Sequence, residues 1–401
     1  MQTSLAEFIK DTDAGREAEA ILRACVHCGF CNATCPTYQL LGDELDGPRG
    51  RIYLMKQVLE GHVPTRQTML HLDRCLTCRN CETTCPSGVR YGRLVEIGRE
   101  IVEEQAGRGG ISGLVRRTLR AVLPYPERFG PLLRFGQRLR PWLPRGIRRS
   151  IPLPRPKTEW PAPRHARRML VLAGCAQSCI APNINAAAAR VLDRLGISLI
   201  EAEGGGCCGA LSHHTSGTAQ ALDFARRNID VWWPHLEAGA EAIVMTASGC
   251  GAHVKDYGHL LRGDPAYAAK AQRVAALTLD VSEVLLKEDL SGLRPAAGVK
   301  VAFQCPCTLQ HGQRLGGVVE DILRRCGFSL TPVANAHLCC GSAGTYAILH
   351  PILARRLRQD KLAALGEGAP GVIATANIGC LSHLQSGTDL PVRHWIELLA
   401  D

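Results

Sequence analysis

No stretch of the 401-residue chain approaches 18 consecutive apolar residues, so no membrane-spanning helix is expected. The opening MQTSLAEFIKDTDAGREAEA is polar and of mixed charge, with no apolar run of the secretory-leader kind. Cysteine is plentiful at 19 residues, but the count is odd and no leader is visible. That argues against a full set of disulfides and for reduced thiols in a cytoplasmic protein. A nucleotide fingerprint is also missing. Gly204, Gly206 and Gly209 satisfy G-x-G-x-x-G after the run ISLI, but the ALSHHTSG that follows is a poor opening for a phosphate-binding helix. The equivalent place later in the chain reads AHLCCGSAG, so neither FAD nor NAD is expected on this chain.

What is present is ordinary globular composition, 46% hydrophobic and 21% charged, in a chain long enough for two or three domains. The net charge of +10 is local: residues 108–168 hold sixteen Lys or Arg against two Glu, and the remainder is slightly acidic. Because this surplus lies in a Pro-rich connector and not on a recognisable reader, nucleic acid is not an expected partner. Ile111, Leu114, Val115, Leu119 and Val122 share one helical stripe there, and the prolines from Pro141 to Pro156 forbid long helices beyond it. A basic amphipathic segment of this kind fits an anionic bilayer, a helix packed on its own protein, or a strap for a partner subunit.

Two near-copies, ACVHCGFCNATCP (24–36) and RCLTCRNCETTCP (74–86), each read C-x2-C-x2-C-x3-C-P. Three thiolates at that spacing reach three corners of an iron–sulfur cube, and the fourth, carried off before the proline, serves the other cube in two-cluster ferredoxins. The assignment that follows is Cys25, Cys28, Cys31 and Cys85 for one [4Fe–4S] cluster, and Cys75, Cys78, Cys81 and Cys35 for the second. Structural zinc does not use the third cysteine of each run. A redox C-x-x-C wants a thioredoxin-like βαβ unit that is not there, and buried apolar cysteines do not explain a repeated spacing. Between the quadruplets Ile52, Leu54, Met55, Val58 and Leu59 recur at helical spacing, and Leu94, Ile97 and Ile101 do so after the second. The module is therefore helical.

After residue 168 a different repeat begins. Cys175, the pair Cys207–Cys208, then Cys250 and His253 are echoed by Cys307, the pair Cys339–Cys340, then Cys380 and His383. The first cysteine precedes the pair by 32 residues in both copies, and the pair precedes the last by 42 and 40. This is an internal duplication. Runs such as LVLAG, ISLI and AIVMTA, or VKVAFQ, FSLTPV and GVIATA, alternate with helical stretches, which predicts two α/β units with cysteines at strand ends. Adjacent thiolates on one turn suit a non-cubane centre; the two histidines are candidate ligands or donors behind the ligands. Buried packing or structural zinc is the alternative. Cys179 and Cys326 read as core thiols, and Cys305 has no assigned place.

The wording of residues 21–61, of HLDRCLTCRNCETTCPSGVRYGRLVEIGR and of GGGCCGALSHHTSG resembles the iron–sulfur subunits of bacterial glycolate oxidase, over essentially the whole chain. FQCPC departs from the family's YHDPC-like segment. The order of modules is shared with lactate-utilisation, anaerobic glycerol-3-phosphate dehydrogenase and heterodisulfide reductase families. In the last of these the cysteine-pair modules end in C-x2-C; here His253 and His383 stand in that place. The resemblance implies two [4Fe–4S] clusters on the eight N-terminal cysteines, with a further non-cubane centre as a candidate. It implies an FAD-containing glycolate oxidase subunit and a second flavoprotein-like subunit as partners, and a quinone or other membrane acceptor for the electrons. Its setting is the cytoplasm, peripheral on the inner membrane. The expected fold is mixed: a helical ferredoxin-like domain (14–107), a basic connector (108–168), and two repeated α/β cysteine-rich domains (169–290 and 299–401). The rivals are the same part of a lactate or glycerol-3-phosphate dehydrogenase, a heterodisulfide-reductase-like thiol enzyme, and a zinc scaffold.

Overall fold

The apolar periodicity between and around the quadruplets folds into helices in the structure, a computed structural model that describes residues 1–156, 158–293 and 299–400. Helix α1 (Asp13–Ala24) starts at Thr12, whose hydroxyl accepts the Gly15 amide at 3.0 Å. Helix α2 (Pro48–Leu59) begins on proline, at a position whose amide has no helical partner to lose. Helix α3 (Arg66–Asp73) opens with a reciprocal cap between Thr65 and Thr68, and α4 (Tyr91–Ala106) follows the second quadruplet. Leu22, Met55, Leu59, Leu72, Leu94 and Val95 are each at most 1% exposed and join in one core. Burying side chains of this size is worth about 1.5–3 kcal/mol each. Two glycines permit the closeness. A Cβ on Gly98 would lie 2.5 Å from the Met55 sulfur, and one on Gly50 2.1 Å from the Glu44 carbonyl oxygen.

The chain packs as two compact units. The first comprises Met1–Arg117 and His337–Leu357, so the segment carrying Cys339 and Cys340 packs with the N-terminal helices. The second comprises Thr118–Ala336 and Arg358–Asp401. The basic connector supplies α5 (Gly110–Val122), where the apolar stripe predicts a helix, and also α6 (Pro126–Leu139), which forms despite Pro131 inside it.

The duplication is visible as two parallel four-stranded sheets. Strands β1 (Arg167–Val171), β2 (Ile197–Glu201), β3 (Ile243–Met245) and β4 (Thr278–Asp280) lie in the order β2-β1-β3-β4. Strands β5 (Lys300–Gln304), β6 (Ser329–Leu330), β7 (Val372–Thr375) and β8 (Val392–His394) lie in the order β6-β5-β7-β8. Register is fixed by pairs such as Met169 with Leu199 and Phe303 with Ala374. Met169, Leu170 and Val171 are buried in succession, as expected of a parallel strand covered on both faces. β4 and β8 are too short for their alternation to be read in the sequence. In both sheets the strand order reverses between the first and third strands of the repeat, the place where open α/β sheets bind ligands. Cys175 follows β1 and Cys250 follows β3 at that point; Cys307 follows β5 and Cys380 follows β7.

Candidate functional site

The two N-terminal quadruplets adopt one backbone. Residues two and four places after the first cysteine have positive φ in each: His27 (58°) and Gly29 (88°), then Thr77 (52°) and Arg79 (59°). A β-branched threonine there is unusual and costs about 1–3 kcal/mol, so the turn is imposed by its surroundings. Left-handed turns of this kind aim backbone amides into a common concavity. The Thr77 N–H lies 3.4 Å from the Cys75 sulfur, and the His27 amide bonds the Cys25 sulfur.

Two hollows result. The first, of about 440 Å³ and open at its mouth, is lined by Cys25, Cys28, Cys31 and Cys85. The second, of about 300 Å³, is lined by Cys35, Cys75, Cys78 and Cys81. Cys81 also reaches the wall of the first, so the hollows adjoin. The electrostatic neighbours sort the same way. Burial pushes the Cys31 thiol up to about 11, with further elevation from Cys25, Cys28 and Cys85. Burial drives Cys81 well above the ordinary thiol value, with Cys78, Cys75 and Cys35 adding to it. Thiols crowded and buried in this manner are suited to become thiolates where a bound metal offsets their charge.

The donor set therefore fits iron–sulfur centres, and a second observation agrees. The Tyr346 hydroxyl, on a side chain 5% exposed, has no hydrogen-bond partner among the described residues. Burial raises the Tyr346 pKa, with Cys75 next among the causes and Cys339 close by.

Around the second hollow lies a buried ionic network. Asp46, fully buried, accepts from Arg51 at 3.3 Å and from Arg74 at 2.7 Å, and its carboxylate pairs with His71 at 3.1 Å. Arg51, 1% exposed, lines the hollow and also donates to the Thr37 hydroxyl at 3.1 Å and the His71 carbonyl at 2.7 Å. The Thr37 hydroxyl is 3.3 Å from the Cys35 sulfur, and the Tyr91 hydroxyl donates to the Cys75 sulfur at 3.6 Å. Sequence reasoning missed this group. The available signal was a charge on an apolar face: Arg51 shares its side of α2 with Met55 and Val58, at helical spacing.

In the first cysteine-rich repeat the expected residues come together. Cys175 touches Cys207, Cys207 touches Cys208, and Cys208 touches Cys250. The Cys207 contact and burial raise the Cys175 pKa; at Cys208 the Cys207 contact lowers it, but the Cys250 contact and burial outweigh that and raise it. Gly209 (φ 94°) closes the turn, its amide 3.4 Å from the Cys207 sulfur. Asn228 and Tyr257 hold the carbonyls of Cys207 and Cys208 at 2.9 and 2.7 Å. His253 sits against this turn: a Cβ on Gly209 would lie 3.3 Å from its Nε2. The second repeat copies the turn at Gly341 (φ 88°), again with an amide 3.4 Å from the first sulfur of the pair, Cys339. Its cysteines are divided, with Cys339 and Cys340 in the first unit and Cys307 and Cys380 in the second. His383 lies in the helix that follows β7 and is half-buried. Cys305 and Cys326 are buried core thiols, whereas Cys179 is only half-buried, against Gly130 and the Pro126 carbonyl.

Comparison with known proteins gives the same division. The family model described as a 4Fe-4S dicluster domain matches residues 21–89, and that of a cysteine-rich domain matches twice, at 169–255 and 301–385. The chain is 57% identical over 400 residues to the glycolate oxidase iron-sulfur subunit of Escherichia coli (strain K12), covering 100% of this chain and 98% of that one. It is 30% identical over 406 residues to the probable glycolate oxidase iron-sulfur subunit of Bacillus subtilis (strain 168), covering 93% and 90%. Lactate utilization protein A of Bacillus licheniformis is 29% identical over 238 residues, 56% of this chain and 95% of that one. Among solved structures, a hypothetical protein from Helicobacter pylori aligns with a TM-score of 0.55 over 96% of this chain and 71% of its own, at 10% identity, a likeness of fold alone.

Proposed function

The chain belongs to the family of glycolate oxidase iron–sulfur subunits, and from that membership we propose how it serves its complex. It is an electron-transfer subunit of an oxidoreductase, holding iron–sulfur centres on its N-terminal cysteines. When bound, such centres carry electrons one at a time. The substrate is glycolate, oxidised to glyoxylate on an FAD-containing partner subunit, with a second flavoprotein-like subunit alongside. Oxidation releases two electrons and two protons; only the electrons cross this chain, towards a quinone or another membrane acceptor. Cys25, Cys28, Cys31 and Cys85 hold one centre, and Cys75, Cys78, Cys81 and Cys35 hold the other. Amides of the two left-handed loops donate to the Cys25 and Cys75 sulfurs, and the α1–α4 core backs the hollows while Cys28 stays exposed. The protein supplies position and tuning.

The observation that carries this reading is that the eight thiols line two adjoining hollows, with Cys81 reaching both. Anaerobically purified chain should contain about eight irons with matching acid-labile sulfide. Glycolate, rather than lactate or glycerol 3-phosphate, should reduce them in the assembled complex. Colourless folded protein with stoichiometric zinc overturns the reading.

Two extensions follow from it. The thiol chain Cys175–Cys207–Cys208–Cys250, with His253 beside it, is the better candidate for a third, non-cubane centre, signalled by about twelve irons in place of about eight. The second repeat's Cys307, Cys339, Cys340, Cys380 and His383 are the other candidate set. Attachment to the membrane is peripheral. No helix among the described residues is long and apolar enough to cross one. The connector, however, exposes Leu132, Phe135, Trp142, Ile147 and Leu153 among its arginines, a composition suited to an anionic surface. The division into 14–107, 108–168, 169–290 and 299–401 describes these working modules.

A further inference from the structure

The two hollows are built alike and furnished oppositely. At the first, the Asn32 amide nitrogen donates to both Glu44 oxygens at 2.9 and 3.0 Å, which leaves its carbonyl oxygen facing the Cys31 sulfur at 4.0 Å. Glu44 accepts only, so the amide has no other orientation that satisfies it. Arg49 bonds Glu44 at 2.7 Å, and both side chains are at least 36% exposed, so their charges cancel and are screened. The side chain that Cys31 meets is thus an acceptor, which also takes the Arg49 amide at 3.3 Å and is backed by a carboxylate. At the second hollow, the Cys75 sulfur receives the Tyr91 hydroxyl. The Thr37 hydroxyl, 3.3 Å from the Cys35 sulfur, accepts from the buried Arg51 and gives its proton to the Asp46 carbonyl at 2.8 Å. Arg51 and Arg74 together outweigh Asp46 there; Arg51 and Asp46 are out of solvent, and Arg74 is partly exposed.

A reduced cluster is more negative than an oxidised one. Donors to its sulfurs and buried cations therefore stabilise the reduced form and raise its potential, while acceptors and carboxylates do the reverse. We propose that the buried charge of Arg51, together with the Tyr91 hydroxyl, holds the centre on Cys35, Cys75, Cys78 and Cys81 at a higher reduction potential than the centre on Cys25, Cys28, Cys31 and Cys85. Arg51 is a positioning residue that acts through its charge, at the wall of the hollow. Transfer between the centres moves one electron from the first to the second, with no proton or bond moving. An electron arriving at the open loop, where Cys28 is exposed, runs inward. The inference rests on the two-centre reading above.

The test is an EPR-monitored redox titration of the anaerobically purified full chain, with iron and sulfide counted first. Tyr91→Phe and Arg51→Gln should each lower one potential and leave the other in place. The signal that moves should be the one that survives in Cys28→Ser. Arg49→Gln should move neither by a comparable amount. Tyr91→Phe keeps shape and core, so it decides the matter if Arg51→Gln fails to fold. About eight irons with unmoved potentials, or with both centres shifting together, overturns this inference alone. A folded chain without iron overturns the two-centre reading as well.

Discussion

Val26 and Leu76 occupy the same place in the two N-terminal cysteine loops, one residue after the first thiol, yet Val26 is 69% exposed and Leu76 7%. Four residues on, Phe30 is 63% exposed and Asn80 2%. The backbones match down to the left-handed residues; the surroundings do not. Asn80 explains part of the difference. Its amide donates to the Thr34 carbonyl at 3.0 Å and to the His337 carbonyl at 3.1 Å, tying the second loop both to the end of the first quadruplet and to the segment that carries Cys339. The first loop has no such cover and presents apolar side chains around Cys28. One motif, used twice, has yielded an open port and a closed interior, and the neighbours made the distinction.

The largest effects should come from the thiols themselves. Cys28→Ser and Cys78→Ser should each lose about half of about eight irons and one EPR signal, and each should destabilise the first unit because ligation and folding are coupled. Cys35→Ser sharpens the test: it should remove the same signal as Cys78→Ser, although Cys35 stands in the first loop. If it removes the Cys28 signal instead, the exchange of the fourth ligand is wrong. Cys207→Ser should leave both signals.

Charge removal ranks next. Arg51→Gln leaves Asp46 buried beside weaker partners and should cost about 3–5 kcal/mol, whereas Arg49→Gln breaks an exposed pair worth less than about 1 kcal/mol. Below these stands the apolar pair. Leu76→Ala should cost about 2–4 kcal/mol and Val26→Ala under about 0.5, read as shifts in the denaturant midpoint. Equal costs for Val26 and Leu76 would break the contrast between open and closed loops.

Much of this site was legible in the sequence because cysteine spacing is a covalent-geometry signal. Loops of fixed length permit few ways to gather four thiols, so Cys25 through Cys85 and the strand-end places of Cys175 and Cys250 could be read without coordinates. The α/β repeat was legible for the same reason, since buried parallel strands leave unbroken apolar runs. What the sequence hid depends on neighbours distant in the chain. Asp46 meets His71 and Arg74 only once α2 and α3 have packed, and the one local sign that sets Arg51 apart from Arg49 is its place on the apolar side of α2. The exposure of Val26 against Leu76 was likewise invisible, because both sit in the same cysteine context. The packing of His337–Leu357 with the N-terminal helices had no local signal at all.

The smallest prediction probes the shared backbone. Gly29 has φ 88°, and its counterpart Arg79 has φ 59°. An added Cβ at Gly29 would come within 2.8 Å of an Arg49 nitrogen, the end of a flexible side chain that can move aside. The cost of Gly29→Ala is therefore the left-handed conformation itself, about 1–2 kcal/mol, less the entropy that alanine removes from the unfolded chain, for a net loss of about 1 kcal/mol. Arg79→Gly reverses the terms. Relief of left-handed strain is set against the lost contact with Glu96, 4.0 Å away, and against the freer unfolded chain, so the net change should stay within about 0.5 kcal/mol. Chemical denaturation of the anaerobic protein measures both. A neutral Gly29→Ala would mean that the first loop relaxes out of the left-handed turn, and the amides said to face its four thiols would then have to point elsewhere.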